Sequence, residues 1–326
     1  MFAETCSGSE SAGRRSSMID PPALPLVRAS DARRTGEPGR RLARAAQSGD
    51  LARVRRGSYA ESPLWQALSP ENQHFIRVIA ANDAALGMPV FSHESAAVAW
   101  RMPIVGGLPT RPQITVAPGS GLRSNRAVVR HEAPLMSSDV AQVADLRLTA
   151  PDRTLVDYMA TRSFLSGACA AEFGLQSGLM SRDTILNAIA RRRPFRGSRR
   201  ADAVVWFASE YSASPNETLC RVRFHELGYP QPDQQRVYAG SRGQQYSVDF
   251  FWSEYDVIGE TDGRAKYSEP EFLKGRTPEQ VLWDEKVRED ELRAQCRAFV
   301  RLTWDDAWNR AGLIAKLARA GIPRHR

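Results

Sequence analysis

Cysteine is scarce in this sequence: the 326 residues include only Cys6, Cys169, Cys220 and Cys296, and no two of them are close together. This spacing argues against a disulfide framework and against a zinc ribbon, because both need cysteines paired at short intervals. No apolar run approaches the roughly 18 residues of a membrane span, and the first residues lack the apolar core of an export signal. We therefore expect a protein of the reducing cytoplasm without a membrane segment.

Acidic residues are outnumbered. Lys and Arg total 45 against 37 Asp and Glu, a formal net charge of +8, and nearly all of the basic residues are arginine. The planar guanidinium group suits phosphate, so nucleic acid is the leading partner class, and we expect no small-molecule cofactor. The hydrophobic share of 42% and the charged share of 25% are those of an ordinary globular protein.

The front of the chain predicts a disordered tail followed by a winged helix-turn-helix. Residues 1–25 are rich in Ser, Gly and Pro and have almost no periodic apolar pattern. A short helix capped at Ser30, a second helix over residues 40–48 and a basic hairpin over residues 51–60 come next. In a winged helix one helix enters the major groove and the wing contacts phosphate. The alternative is a solvated basic hairpin that caps a neighbouring domain.

The arginines of this winged element are candidate DNA contacts. In the hairpin we expect Leu51, Val54 and Tyr59 to point inward, which leaves the hairpin arginines outward. The candidate DNA-binding residues of the helix and the hairpin are Arg40, Arg41, Arg44, Arg53, Arg55 and Arg56.

The rest of the chain predicts an α/β (α+β) protein. Helical and strand-like segments alternate through residues 63–196, a mixed α/β region that ends in the arginine-rich stretch RRRPFRGSRR. Residues 206–326 follow the order helix, strands, helix, strand, which indicates a mixed sheet flanked by helices. The second of these helices is predicted to be capped at Thr277, the last strand covers residues 298–303, and a closing helix covers residues 306–320. The predicted organisation is thus a tail over residues 1–25, a winged element over 26–62, a mixed region over 63–196 and a C-terminal domain over 206–326.

The stretch SVDFFWSEYDVIGETDGRAK, residues 247–266, places three carboxylates on a predicted hairpin. Strand alternation puts Glu260 and Asp262 on one face, and Asp249 would join them if the neighbouring strand presents it there. Ionised carboxylates that converge repel each other unless a hard cation is bound. The pattern therefore predicts a Mg²⁺ or Mn²⁺ site formed by Asp249, Glu260 and Asp262.

Residues 214–304 resemble the very-short-patch-repair-like endonuclease domains of the PD-(D/E)xK superfamily. The resemblance is carried by the stretch over residues 247–266 and by the following DEKVREDELRAQCRAFVRLTW. With the basic wing and the segment TAPDRTLVDYMA, the chain from Leu26 onward also resembles actinobacterial proteins whose front half is similar to AbiEi-type antitoxins of type IV toxin–antitoxin systems. The first resemblance implies a restriction-endonuclease-like fold. The second implies DNA binding and a cognate toxin as a partner.

The endonuclease resemblance implies roles for matching positions. Asp249 would correspond to the first metal-binding aspartate and Glu260 to the acid of the (D/E)xK element. Asp262 stands where the superfamily usually has lysine, and Lys266, four residues later, is the candidate replacement.

Other charged residues of this domain have a structural alternative. Glu217 occupies a helix position that often contributes a further acid, but Ser214 three residues earlier predicts a capping box that accounts for it. Arg288 and Arg293, on the later helix, are candidates to contact DNA phosphate or to pair with the acids.

Two functions follow from these patterns. The first is metal-dependent hydrolysis of DNA phosphodiesters, in which the carboxylates hold the cation and arginines offset developing charge. The second is an antitoxin or transcriptional regulator that uses the nuclease-like fold as a non-catalytic scaffold. A third interpretation makes the acids plain ion-pair partners of the many arginines.

Overall fold

The computed structural model of the chain describes residues 24–34, 39–262 and 277–325. Its contacts divide the chain into two compact units, Met1–Tyr158 and Met159–Arg326. Helices alternate with strands of three sheets, two of which mix parallel and antiparallel pairs, so the predicted α/β class is confirmed. The predicted domain boundaries near residue 62 and between residues 196 and 206 stay predictions.

The strands of the N-terminal unit are β1 (Val27–Arg28), β2 (Leu51–Arg55), β3 (Ser58–Glu61), β4 (Val90–Phe91), β5 (Gln113–Val116), β6 (Val129–Glu132), β7 (Val140–Val143) and β8 (Leu146–Thr149). Its helices are α1 (Ala29–Arg34), α2 (Gly39–Ser48), α3 (Ser62–Ala67), α4 (Pro70–Asp83) and α5 (His93–Ala99), with a single 3-10 turn at Ser137–Asp139. The division between the units falls inside α6 (Pro151–Thr161).

The first part of this unit has the predicted order of two helices and a hairpin. Strands β2 and β3 pair antiparallel, and β1 adds to the far side of β3 in a three-stranded sheet. Gly57 forms the hairpin turn with a φ of 81°, a conformation that glycine adopts without steric cost. Leu42 of α2 packs on Tyr59 of β3 in a buried cluster, so α2 contacts the hairpin through its apolar face.

A second cluster joins the hairpin to the helices that follow. Val54 and Ala60 of the hairpin are buried against Trp65, Ile76 and Ala80 of α3 and α4. The unit also contains a five-stranded sheet of order β6-β5-β4-β8-β7, in which β4 pairs parallel with β8 and β5 pairs parallel with β6. The hairpin is therefore fixed to α4 by its apolar face and is not a detached arm.

The strands of the C-terminal unit are β9 (Asp233–Ala239), β10 (Gln245–Trp252), β11 (Val257–Asp262) and β12 (Ala298–Thr303). Its helices are α7 (Phe164–Gln176), α8 (Arg182–Arg192), α9 (Ser198–Phe207), α10 (Pro215–Leu227), α11 (Pro278–Arg293), α12 (Trp304–Asn309) and α13 (Ala311–Arg319).

Strands β9, β10 and β11 form an antiparallel meander, and β12 pairs parallel with β11 after the chain has passed through α11. The order helix α10, three strands, helix α11, strand β12 is the predicted one. Phe224 of α10 packs edge-on against Phe250 and Trp252, with ring centroids 5.4 and 5.1 Å apart. Leu292 of α11 joins a separate buried cluster with β10 and β11, so helices cover both faces of the sheet.

The end of the chain differs from the prediction. A single helix was expected over residues 306–320, but two helices, α12 and α13, are separated at Arg310, whose φ of 63° interrupts the helical backbone. Thr303 caps the first of them in a capping box, in which Asp306 Oδ2 accepts from the Thr303 backbone amide at 2.8 Å. In the described parts of both units, none of the helices has the combination of length and hydrophobicity needed to cross a membrane.

Candidate functional site

Asp249 holds together the end of the β10–β11 hairpin where the backbone ladder stops. The ladder runs from the pair Trp252–Val257 to the pair Phe250–Gly259. Beyond it, Asp249 Oδ2 accepts hydrogen bonds from the Thr261 backbone amide and from Thr261 Oγ1, each at 2.7 Å. The predicted first metal-binding aspartate thus has a structural contact that replaces the next rung of the ladder.

Glu260 is bound by Arg288 of α11. Nη1 of Arg288 donates to Glu260 Oε2 at 3.1 Å, and Nη2 donates both to Glu260 Oε1 and to the Ser247 carbonyl at 2.8 Å. Glu260 is only 8% exposed. Burial raises the pKa of Glu260 above its ordinary value, the Asp249 charge adds to this effect, and Arg288 opposes it. The bidentate pair keeps a carboxylate in a position where burial disfavours it.

Glu217 lies at the start of α10 and is 4% exposed. Its carboxylate accepts from the Ala213 amide at 2.9 Å, from Ser214 Oγ at 2.8 Å and from Gln235 Nε2 at 3.3 Å. Ser214 caps the helix as predicted, but Glu217 bonds the amide of Ala213 in place of the Ser214 amide that a capping box would use. Burial, together with the Asp249 charge, raises the pKa of Glu217 to about 7 against three hydrogen bonds that lower it.

Asp262 ends β11, half-buried and in register with Thr303 of β12. Its charge acts on Arg301, which pairs with Glu285 at 3.0 Å and with Glu289 at 2.8 Å. Strand alternation places Asp262 on the same face as Glu260. The predicted partner Lys266 lies outside the described residues.

Among the described residues, the carboxylates are not arranged as a metal site. Within residues 24–34, 39–262 and 277–325, no group of three His, Cys, Asp or Glu side chains could hold one. Asp249 bonds Thr261, which alternates onto the opposite face from Glu260 and Asp262. Both oxygens of Glu260 are occupied by Arg288. The set Asp249, Glu260 and Asp262 is therefore not assembled into the predicted Mg²⁺ or Mn²⁺ centre.

The two arginines predicted on α11 are both engaged inside the C-terminal unit. Arg288 pairs with Glu260, one of the two alternatives that the sequence left open. Arg293 donates from Nε to Glu289 at 2.8 Å and lies 4.7 Å above the ring of Phe299. Neither guanidinium group is free in this arrangement to neutralise a phosphate.

The arginines of the winged element, unlike Arg288 and Arg293 of α11, are mostly exposed. Arg40, Arg41 and Arg44 are exposed on α2, a helix that contains no acidic residue. Arg53 and Arg56 of the hairpin are exposed as predicted. These five exposed side chains belong to a helix and a hairpin that pack on each other through Leu42 and Tyr59.

Arg55 corrects the prediction that all three hairpin arginines point outward. It is half-buried, and its Nη1 donates to the Ala80 carbonyl of α4 at 2.5 Å. The cause is a register shift between Arg53, which pairs with Tyr59, and Arg55, which pairs with Ser58. Such an irregularity changes the direction of side chains beyond it.

Arg55 is part of a cavity of about 820 Å³ that the sequence did not predict. Six arginines line this arginine cavity, and none of the described residues that line it is Asp or Glu. The arginines are Arg53, Arg55, Arg56, Arg77, Arg111 and Arg126. The loop PGSGLRSNR is recognisable in the sequence as polar and basic, but no local pattern connects it with α4 or with the hairpin.

Comparison with known proteins adds a distant relationship. No family model matches the chain. Two uncharacterized proteins of Mycobacterium tuberculosis, MT2308 of strain CDC 1551 / Oshkosh and Rv2248 of strain ATCC 25618 / H37Rv, are each 27% identical to it over 203 residues. The match covers 62% of this chain and 71% of each relative.

Proposed function

We propose that the protein binds duplex DNA through the winged element, with α2 directed to the major groove and the β2–β3 hairpin acting as the wing. The observation that carries this proposal is the set of exposed arginines on a helix and hairpin fixed to each other by Leu42 and Tyr59. Among the described residues, Arg40, Arg44, Arg53 and Arg56 have no hydrogen-bond or ion-pair partner. Such groups can neutralise phosphates at little cost, because no internal ion pair must first be broken.

In this proposal the C-terminal unit is a scaffold of a DNA-binding regulator of antitoxin type, with a cognate toxin as its protein partner. Support comes from Arg288, which already neutralises Glu260, and from Asp262 at the position of the usual lysine. A scaffold requires these acids only for internal contacts, and Glu217, Asp249 and Glu260 all make them.

The test is the salt dependence of DNA binding. Replacing Arg53 and Arg56 together with alanine should reduce the slope of log affinity against log salt by about 2, because each lost phosphate contact releases roughly 0.9 fewer counterions. Arg319→Ala, which removes an exposed arginine of α13, is the matched control and should leave the slope unchanged. If the double variant keeps the wild-type slope, the wing is not part of the interface.

Hydrolysis of DNA phosphodiesters is the second candidate. It is favoured by the position of Asp249, whose charge raises the pKa of both Glu217 and Glu260. A carboxylate that repels two other acids around one hairpin end is unusual for a scaffold alone.

A cleavage assay with Mg²⁺ or Mn²⁺ tests this second candidate. If this second candidate is the function, wild-type protein nicks DNA, Asp249→Ala abolishes nicking, and Glu254→Ala at the exposed hairpin turn leaves it intact. Nicking that survives Asp249→Ala would come from a contaminant or from another site. A wild-type protein that binds DNA without nicking it would leave the regulator as the function.

A further inference from the structure

We infer that the arginine cavity of the N-terminal unit is a binding site for a run of phosphates. The inference rests on the proposed DNA binding and extends it, because only half of the cavity arginines belong to the wing. Arg77 comes from α4, and Arg111 and Arg126 come from the segments around β5 and β6. Three parts of the unit that are distant in sequence therefore direct positive charge at one space.

The inner arginines are held in place without being neutralised in the cavity. Arg77 lies 4.9 Å from the ring centre of Trp65, and Arg55 bonds a backbone carbonyl. Both are half-buried, and burial lowers the pKa of each guanidinium group below its ordinary value. Asp83 opposes the effect on Arg55, but the same carboxylate is an ion-pair partner of Arg28. Partly dehydrated cations of this kind favour an anion in the space that they face.

The outer wall is a structured loop. Arg111 Nη1 donates to the Asn125 carbonyl at 2.8 Å, and Asn125 Oδ1 accepts from the amides of Ala127 and Val128 at 2.8 and 3.0 Å. Ser124 Oγ accepts from the Arg130 amide at 2.8 Å and ties the loop to β6. Arg126 is exposed on this loop, and no described residue pairs with it. Arg111 and the backbone that carries Arg126 are therefore placed before any ligand arrives, which lowers the entropy lost on binding.

The size of the cavity indicates a ligand larger than one phosphate. About 820 Å³ is within the range of sites that hold a nucleotide-sized molecule. Val54, Ala81 and Pro112 contribute apolar wall between the arginines, which suits the sugar between two phosphates. The shared ligand chemistry is a run of phosphates, and it could come from the backbone of a DNA strand or from a free nucleotide.

Calorimetric titration of the full chain tests the inference with three probes: inorganic tripolyphosphate, ATP and a short DNA duplex. Tripolyphosphate should bind at a single site. Arg77→Gln and Arg126→Gln should each weaken that binding by about tenfold or more, because a charge-assisted hydrogen bond contributes about 1.5 to 3 kcal/mol. Arg123→Gln is the matched control: it removes an exposed arginine of the same loop that does not line the cavity.

Arg126 is exposed, so its replacement keeps the fold and remains informative even if Arg77→Gln unfolds the unit. Arg77→Lys supplies a further check, since it keeps the charge but loses the bidentate geometry and should bind with intermediate affinity. The inference is overturned if the cavity variants behave like Arg123→Gln, or if tripolyphosphate shows only weak binding to many sites.

The probes also separate this inference from the proposed function. Loss of duplex affinity in Arg126→Gln, in parallel with the loss for tripolyphosphate, would identify a DNA strand as the occupant. Tight ATP and tripolyphosphate binding without duplex binding would support the phosphate site, assign it to a free nucleotide and refute the proposed DNA binding. If Arg40→Gln and Arg44→Gln weaken duplex binding while the cavity variants do not, the DNA proposal stands and the cavity inference fails.

Discussion

The arginine cavity and the β10–β11 hairpin end use the same side chain in opposite ways. Six arginines line the cavity, and the part of the chain that the structure describes contributes no carboxylate to its lining. At the hairpin end, Arg288 is bound to Glu260, and the nearby Arg301 is bound to Glu285 and Glu289. A net charge of +8 is thus not spread evenly over sites that could bind phosphate. Arginine charge is available to bind phosphate in the cavity, and it is neutralised at the hairpin end, where arginines pair with glutamates.

The largest expected effect that sharpens this comparison comes from removing Arg288. Arg288→Ala leaves Glu260 buried without its guanidinium partner and should lower the free energy of unfolding by about 3 kcal/mol, as for other buried pairs from which one member is removed. Urea denaturation of the full chain, followed through the transition of the C-terminal unit, measures the loss. Arg126→Ala in the cavity is the control and should change the free energy by no more than about 0.5 kcal/mol. Equal effects of the two substitutions would remove the distinction between paired and unpaired arginines.

A somewhat smaller effect is the pH dependence caused by Glu217. Because its folded pKa is raised to about 7, its contribution to stability is complete at low pH and is lost as the pH rises through about 7. Between about pH 5 and pH 8 the C-terminal unit should lose roughly 2.5 kcal/mol from this group. Hydrogen exchange of α10 measures the loss, which should be much reduced in Glu217→Gln and unchanged in Glu210→Gln, a change of an exposed acid.

The N-terminal unit should respond to pH in the opposite direction, by a slightly smaller amount. His74 of α4 is fully buried, with Nδ1 2.9 Å from the Pro109 carbonyl and Nε2 2.9 Å from Ser95 Oγ. Burial lowers its pKa to about 4, so the unfolded chain takes up a proton before the folded chain does. Stability is complete above about pH 6.5 and is lost as the pH falls towards 4, by about 2 kcal/mol at pH 5.

Hydrogen exchange of α4 and α10 in one sample compares the two units directly. Acidification should deprotect α4 while it protects α10. A parallel response of both helices would contradict the assignment of opposite proton linkage to His74 and Glu217.

Much of the C-terminal fold was predictable because its signals are local. The strand predicted over residues 298–303 is β12 with the same bounds, and the cap predicted at Thr277 is confirmed by its reciprocal bonds with Gln280. The hairpin around Asp249 and Glu260 is confirmed by the register of β10 and β11. Alternation, turns and caps involve neighbours a few residues apart, and the sequence shows them directly.

The contacts that decide the candidate sites were not predictable in this way. The Glu260–Arg288 pair joins residues 28 positions apart, and the sequence left open whether Arg288 binds phosphate or an acid. The inward turn of Arg55 depends on a register shift in the hairpin, and its bond to Ala80 depends on how α4 packs there. Separation along the sequence does not show which side chains meet in the folded protein.

The amino-acid sequence by itself determined the α/β class, the helix–hairpin order of the winged element, and the placing of Asp249, Glu260 and Asp262 around one hairpin, because periodicity and residue type act over a few positions. Only the tertiary structure decided which charges meet. Packing α11 on the sheet binds Arg288 to Glu260. Packing α4 and the β5–β6 loop beside the wing collects arginines around a cavity that no carboxylate of the described residues lines. Coulomb energy depends on distance in space, and that distance is set when the helices and strands pack together.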